Sequence, residues 1–247
     1  MNVDPQQQIT LLEVQQHDLE VDRVRHRRAT LPEAARVAEI EAAQRSLADS
    51  ITSVSVEVAD LELEQRKADN DVDLVRQRAA KDRQLLDSGS INDAKQLTSL
   101  QHELESLARR QSDLEDVELE IMERLEEAQG RQSALLAERD QMVADLAAAV
   151  EARDTAMAAL AEEEAAAQAA RAASAQAVAP ELMTLYDKLR ADNGGIGAAA
   201  LHRGRCEGCR IELTPVDLER IRGAAPDEVV RCEECRRILV RTPESGL

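Results

Sequence analysis

One spacing of apolar side chains constrains this sequence more than any other feature. From Val37 to Leu86, apolar residues recur alternately three and four positions apart for seven repeats. This heptad spacing places the side chains on one face of an α-helix and is typical of a coiled coil, whereas a strand would need sustained alternation. The first seam comprises Val37, Ile40, Gln44, Leu47, Ile51, Val54, Val58, Leu61, Gln65, Ala68, Val72, Val75, Ala79, Asp82 and Leu86.

The same spacing resumes at Leu97 and keeps its phase to Ala149, and Leu160 falls on its continuation. Several seam positions are glutamines, which lower the stability of a coiled coil but help to fix its register. The second seam comprises Leu97, Leu100, Leu104, Leu107, Gln111, Leu114, Glu118, Ile121, Leu125, Ala128, Gln132, Leu135, Arg139, Met142, Leu146 and Ala149.

The segment LDSGSIND, residues 86–93, separates the two seams. Gly89 can adopt the left-handed conformation that ends a helix. Ser90 can cap the next helix, with Asp93 in place of the usual capping-box glutamate. Because a short turn between two periodic runs joins antiparallel neighbours, the sequence predicts a hairpin with arms over about residues 5–87 and 91–179.

A proline interrupts the first arm. Pro32, in the segment ATLPEAA, suits the first turn of a helix. We therefore expect a separate helix over residues 5–28, packed near the Ala-rich stretch 150–180. A hairpin of this kind serves either as a spacer or dimerisation strut, or as a surface that binds partners, and the spacing alone leaves both interpretations open.

All four cysteines of the chain lie near its C-terminal end, in two CxxC pairs. Cys206 and Cys209 form the first pair, Cys232 and Cys235 the second, and 22 residues separate the pairs. Each pair can bind one edge of a tetrahedral metal ion, so the four thiolates predict one structural Zn²⁺ with no open coordination position. Iron–sulfur ligation by four cysteines is the alternative. Disulfides and a thioredoxin-like redox pair fit less well, because neither a signal sequence nor a βαβ pattern is visible.

The residues around the cysteines predict a small β-rich ribbon. GAAALHRGR and EVVRCEECRRILVR have the composition of strands in hairpins. ELTPVDLERIRG predicts a short helix, capped by Thr214, beginning at Pro215 and ending at Gly223. We expect bound metal to supply much of the folding free energy of so small a domain. The fold is therefore mainly α: a long antiparallel coiled-coil helical hairpin over 1–190, with a break near Pro32 and a tip near Gly89, and a four-cysteine zinc ribbon over 191–247.

Composition and charge narrow the range of possible functions. Tyr186 is the single aromatic residue, and the chain has no Gly-rich phosphate loop and no paired histidine and nucleophile, so we expect no enzyme. Residues 194–247 hold nine arginines and nine carboxylates, so the net charge of −18 falls on the first 193 residues. That acidic region repels nucleic acid and anionic membranes. Without a signal peptide or a membrane-length apolar run, a cytoplasmic location is expected.

The chain resembles a known family of bacterial proteins, in which a coiled-coil hairpin precedes a C4-type zinc ribbon. The resemblance covers nearly the whole chain and depends on LEDVELEIMERLEE, on LYDKLR at 185–190, and on CEECRRILV. The family usually has glycine where Arg236 stands here. Its members are described as nucleic-acid-binding proteins, or as adaptors and chaperones that hold protein partners, and the resemblance implies no catalytic residue.

Two functions follow as expectations. The first is a non-enzymatic, chaperone-like adaptor that binds protein partners, acting as a monomer or homodimer and away from membranes. The alternative is binding of RNA or DNA through the ribbon, where arginines can contact phosphates but glutamates are interleaved. The candidate nucleic-acid contacts are Arg203, Arg205, Arg210, Arg231, Arg236, Arg237 and Arg241.

Overall fold

The computed structural model of the 247-residue chain describes residues 1–91 and 93–247. None of the helices in this part of the chain is long and apolar enough for a membrane span. The helices are α1 (Pro5–Ala29), α2 (Pro32–Asp87), α3 (Ala94–Gln176), α4 (Pro180–Asp192) and α5 (Pro215–Gly223). The strands are β1 (Ala198–His202), β2 (Arg205–Cys206), β3 (Val230–Arg231) and β4 (Ile238–Arg241).

The chain forms two compact units. Unit 1 combines Met1–Ala35 with Val150–Leu247, and unit 2 is Arg36–Ala149. The boundary that we placed between residues 190 and 191 lies inside unit 1. The reason is physical, because α1, α4, β1 and β4 contribute side chains to one shared apolar core.

Unit 2 is the predicted helical hairpin, in which the heptad seams of α2 and α3 face each other. Val58 and Leu61 pack with Leu125 and Ala128 in a buried cluster. The seam residue Gln44 has a polar partner, since its side-chain amide donates to the carbonyl oxygen of Met142 over 3.2 Å. The seam positions of α2 are all buried or half-buried, which confirms the heptad assignment for this helix.

Two details of the hairpin differ from the sequence prediction. Arg139 occupies a seam position of α3 but is exposed and pairs with Asp140, because a guanidinium group bends into water rather than into an apolar seam. The predicted cap at Ser90 is wrong, since α3 begins at Ala94 and the carboxylate of Asp93 accepts from the Lys95 N–H over 2.9 Å. Gly89, as expected, has a left-handed φ of 64°.

The core of unit 1 joins the helices to the sheet. Leu11 and Val14 of α1 and Leu182 and Tyr186 of α4 are fully buried, beside Ile238 of β4. The predicted contact between the first helix and the Ala-rich stretch also forms, because Val24 and Leu31 pack on Leu160. The one aromatic side chain of the protein therefore fills the place where helices and strands meet.

A charged network is buried next to this core. The Asp18 side chain is 6 % exposed and accepts hydrogen bonds from the Tyr186 hydroxyl at 2.7 Å and from Arg171 Nε at 2.9 Å. Arg190 lies 3.5 Å from the same carboxylate and also pairs with Asp22. Burial, together with the hydrogen bond to the Asp18 carboxylate, raises the pKa of the Tyr186 hydroxyl above its usual value. The network connects α1 with α3 and α4.

The four strands form one sheet in the order β2-β1-β4-β3. β1 and β2 pair antiparallel, as do β3 and β4, so the expected hairpins are present. A parallel pairing of β1 with β4, from Ala198 opposite Ile238 to Leu201 opposite Arg241, joins the two hairpins. The helix α5 follows β2, and its cap Thr214 accepts from the Asp217 N–H as predicted.

Candidate metal centre

Each CxxC pair lies on a tight turn next to a strand. Cys206 ends β2, and its carbonyl oxygen accepts from the Arg210 N–H over 2.7 Å. Cys232 directly follows β3, and its carbonyl oxygen accepts from the Arg236 N–H over 2.9 Å. We call residues 206–210 the first knuckle and residues 232–236 the second knuckle. Because β1 and β4 pair, the two knuckles lie at the same part of the sheet.

The four sulfur atoms converge on one point. They lie within 4.8 Å of one another, and the Cys206–Cys235 and Cys209–Cys232 sulfur pairs are both 3.9 Å apart. A tetrahedral ion with Zn–S bonds of about 2.3 Å needs sulfur atoms about 3.8 Å apart. The spacing therefore fits a single metal ion rather than a cluster, which would spread the thiolates around several iron atoms. The ribbon holds one structural zinc ion on these four cysteines.

Burial and backbone donors act in opposite directions on the inner thiols. Cys206 and Cys232 are fully buried, and burial raises the pKa of both thiols. The backbone N–H groups of Cys209 and Gly208 donate to the Cys206 sulfur and oppose this shift of the pKa. Zinc supplies the remaining stabilisation of the thiolates, so protons compete with the metal for the same sulfur atoms.

The outer thiol of the second knuckle behaves differently. Burial raises the pKa of Cys235, but hydrogen bonds from the backbone and the side chain of Arg237 oppose this shift. Together with those from Cys232 and Cys209, they lower the pKa of Cys235 to about 7. The Cys235 thiol therefore gives up its proton to the metal more readily than the buried thiols of Cys206 and Cys232.

Both knuckles place an arginine in the left-handed backbone region. Arg210 has a φ of 62° and Arg236 a φ of 64°. A side chain in this region costs about 1–2 kcal/mol, which explains why glycine is usual at the position of Arg236. The turn nevertheless keeps its hydrogen bond to Cys232, so the arginine does not displace the thiolates.

Residues far from the cysteines in sequence hold the ribbon in place. The side chain of Arg237 donates to the carbonyl oxygens of Ile196 and Asn193, each at 2.9 Å. Gln15 of α1 accepts from the Gly197 N–H at 2.7 Å. Sequence reasoning missed the role of Gln15, because the contact spans 182 positions and no local signal marks the residue.

The seven arginines proposed as nucleic-acid contacts fall into three groups. Arg231, Arg237 and Arg241 donate to main-chain carbonyl oxygens; Arg241 alone reaches those of Ala224, Ala225, Pro226 and Glu228. Arg236 lies 3.4 Å from Glu233. The side chains of Arg203, Arg205 and Arg210 are exposed and have no hydrogen bond or ion pair within residues 1–91 and 93–247.

His202 lies close to the first knuckle in sequence but pairs elsewhere. Its Nδ1 atom is 3.2 Å from a carboxylate oxygen of Glu244. The cluster of candidate ligand atoms contains the four cysteines without this histidine. The prediction that four thiolates complete the shell therefore agrees with the geometry.

Comparison with known proteins places the same two modules on this chain. The model of the CT398-like coiled coil hairpin domain matches residues 14–194, and that of the C4-type zinc ribbon domain matches residues 205–239. An uncharacterized protein of Mycobacterium tuberculosis is 42% identical over 235 residues, which cover 95% of each chain. An uncharacterized protein of Mycobacterium leprae is 32% identical over 223 residues, covering 88% of this chain and 93% of that one.

Solved structures give the same picture. A protein from Mycobacterium smegmatis matches with a TM-score of 0.84 and 38% identity, over 98% of this chain and 100% of that chain. CT398 from Chlamydia trachomatis matches with a TM-score of 0.69 and 18% identity, over 96% and 98% of the two chains. At that identity the second likeness concerns the fold alone.

Proposed function

Because the chain belongs to the CT398-like coiled-coil hairpin family and carries a C4-type zinc ribbon, we propose that it is a non-enzymatic adaptor that binds protein partners. The zinc supports this proposal, since four thiolates fill a tetrahedral shell and leave no position for a reacting water. The metal then has a structural role, which is to keep the surface of the ribbon in its folded conformation.

The exposed apolar side chains of the ribbon carry the proposal. Val216 is 78% exposed and Ile211 46% exposed, although both belong to a small domain that has few apolar residues. Ile211 directly follows the first knuckle, and Val216 lies in the first turn of α5. The exposed side chains of Arg205 and Arg210 precede them on the chain. Apolar side chains combined with arginine are enriched at protein interfaces, so this segment is our candidate partner surface.

Affinity purification with the zinc-loaded full chain tests the proposal. We expect specific proteins to be recovered in the presence of nuclease, and to be lost when Ile211→Ser and Val216→Ser are combined. Leu119→Ser is the matched control, because Leu119 is 56% exposed on α3 in unit 2. The proposal fails if the intact chain recovers no specific protein, or if the ribbon variant recovers the same proteins as the control.

Nucleic-acid binding is the second candidate, favoured by the three exposed arginines that have no partner within the described residues. Arg203, Arg205 and Arg210 lie on or next to the first knuckle, where they can reach phosphates. Glu207 and Glu212 lie among them and oppose such contacts. The other candidate arginines hold main-chain carbonyl oxygens or lie beside a glutamate, so this function would depend on the first knuckle.

A salt-dependent binding assay separates this candidate from the first. Combined Arg205→Gln and Arg210→Asn should weaken binding to RNA or DNA at low salt and reduce its dependence on salt. Asparagine is chosen at position 210 because it tolerates the left-handed region. Arg222→Gln on α5 is the control, since Arg222 pairs with Glu219. Absence of binding at low salt would remove this candidate.

A further inference from the structure

Four large apolar residues on α2 lie in a row on the surface of unit 2. Val56, Leu63, Leu74 and Leu85 are 57%, 59%, 64% and 46% exposed. They are 7, 11 and 11 positions apart, so at 3.6 residues per turn their directions agree within about 40°. The row spans roughly 44 Å at about 1.5 Å per residue. We call these four residues the α2 row.

The α2 row does not belong to the seam with α3. Val56, Leu63 and Leu74 each follow a buried seam residue by two positions, which places them about 160° around the helix from it. The exposed apolar residues of α3 form no equivalent row. Val117, Leu119, Met122 and Val143 spread over about 200° of the α3 surface. One helix of the hairpin thus has a second apolar face.

Charged residues lie between the members of the α2 row, within about 60° of its direction. In chain order they are Asp60, Lys67, Asp71, Arg78 and Lys81. Arg78 pairs with Asp82 and Glu103 of its own chain. No hydrogen bond or ion pair among the described residues uses the side chains of the other four. Asn70 lies near the midpoint of the row. Apart from Arg78, the face is therefore a series of apolar and charged side chains without a partner among the described residues of unit 2.

The order of these residues selects the partner. Reversed about Asn70, the series brings leucine within about three positions of valine or leucine and a base within about two positions of an acid. The face therefore complements a second, antiparallel copy of itself. A parallel copy would place Asp60 against the partner's Asp60, and like charges in contact are unfavourable. A wholly apolar partner would leave both the acids and the bases of the row unpaired. A partner with charges of only one sign would leave either the acids or the bases unpaired.

We propose that two copies of this chain associate antiparallel along the α2 row, about a two-fold axis near Asn70. In this dimer Val56 contacts the partner's Leu85, and Leu63 contacts the partner's Leu74. Asp60 pairs with the partner's Lys81, and Lys67 pairs with the partner's Asp71. A two-fold interface repeats each contact, so four apolar contacts and four ion pairs form together.

The contact area sets the expected strength. A single helix face with alternating charges is smaller and more polar than the interfaces of obligate dimers. We therefore expect a reversible dimer that dissociates on dilution. The ion pairs are solvent-exposed, so added salt should weaken the dimer moderately rather than abolish it.

Analytical ultracentrifugation of the zinc-loaded full chain over a concentration series tests the proposal. The average mass should rise from 27.2 kDa toward twice that value. Combined Leu63→Gln and Leu74→Gln should weaken self-association by at least about tenfold, because each copy loses two apolar contacts. Combined Leu119→Gln and Met122→Gln on α3 is the matched control and should leave the dimer unchanged. Circular dichroism verifies that each variant keeps its helices.

A charge exchange tests the antiparallel arrangement. Asp60→Lys alone should weaken the dimer by several fold, and addition of Lys81→Asp in the same chain should restore it. Restoration is specific to the antiparallel dimer, because in a parallel one the exchanged residues would face their own copies. A monomer at every concentration, a dimer that ignores the row variants, or a charge exchange without rescue would each overturn the proposal.

Discussion

Unit 2 is stabilised by one kind of contact that repeats, whereas unit 1 combines one apolar core with individual polar contacts. In unit 2 one kind of apolar contact recurs along two helices, as Val58 and Leu61 show with Leu125 and Ala128. In unit 1 single polar contacts connect distant positions, such as Asp18 with Arg171 across 153 residues. Repetition makes unit 2 tolerant of a local change, whereas unit 1 depends on a few residues.

The largest expected effect is on the metal centre. Cys232→Ser removes one of four thiolates, and structural zinc in small domains contributes about 10 kcal/mol or more. We expect loss of tightly bound zinc and unfolding of the ribbon around residues 198–241. Hydrogen exchange measured by mass spectrometry should report loss of protection there and unchanged protection in residues 36–149. His202→Ala is the control and should retain zinc, because His202 pairs with Glu244.

The next largest effect is on the buried charge of unit 1. Asp18→Ala leaves Arg171 and Arg190 without their buried carboxylate, and breaking such a pair costs about 3–5 kcal/mol. Thermal unfolding, monitored by hydrogen exchange, should show this loss of stability in unit 1. Glu163→Gln is the control, since Glu163 forms an exposed pair with Arg27. A similar loss for both variants would contradict the special role of the network.

Unit 1 should also be the part that is sensitive to alkaline pH. Burial raises the pKa of Tyr186 in the folded chain, so the folded state keeps its proton after the unfolded state has lost it. The contribution is complete below the ordinary pKa of 10.0 and declines as pH rises above it. Because Tyr186 is the only tyrosine, phenolate absorbance measures this titration directly. A phenolate signal that appears at the ordinary pKa in folded protein would contradict the buried position.

Much of unit 2 could be predicted from sequence, because a heptad seam is a local and repeated signal. The two heptad seams follow from the spacing alone, and the turn follows from Gly89 in the segment between them. The exposure of Arg139 could not be predicted, because the heptad spacing does not show whether a long charged side chain bends out of the seam. The predicted start of α3 was wrong because Ser90 and Asp93 are both good helix caps, and the sequence does not show which of them is used.

Unit 1 was predictable only where chemistry is local. The cysteine spacing gave the metal site, and Thr214 with Pro215 gave the start of α5. The parallel pairing of β1 with β4, and the contacts of Gln15 and Arg237, require knowledge of which distant segments meet. No signal in the sequence marks these partners, so the polar contacts that position the ribbon were found only in the structure.

The smallest expected effect concerns the second knuckle. Arg236→Gly relieves the left-handed backbone strain at φ 64°, but it also gives the unfolded chain more freedom. We expect a net stabilisation of about 0.5–1 kcal/mol, with zinc affinity retained. Competition with a chelator measures the affinity. Weaker zinc binding in this variant would mean that the Arg236 side chain, rather than its backbone, supports the knuckle.

The central claim is that four cysteines hold one zinc ion and that this ion organises the ribbon. Elemental analysis combined with native mass spectrometry of the purified full chain tests it most directly. The structure predicts one zinc per chain, released by acid as the four thiolates take up protons. A chain that is folded at residues 198–241 and contains no metal, or that holds an iron–sulfur cluster instead, would contradict the claim.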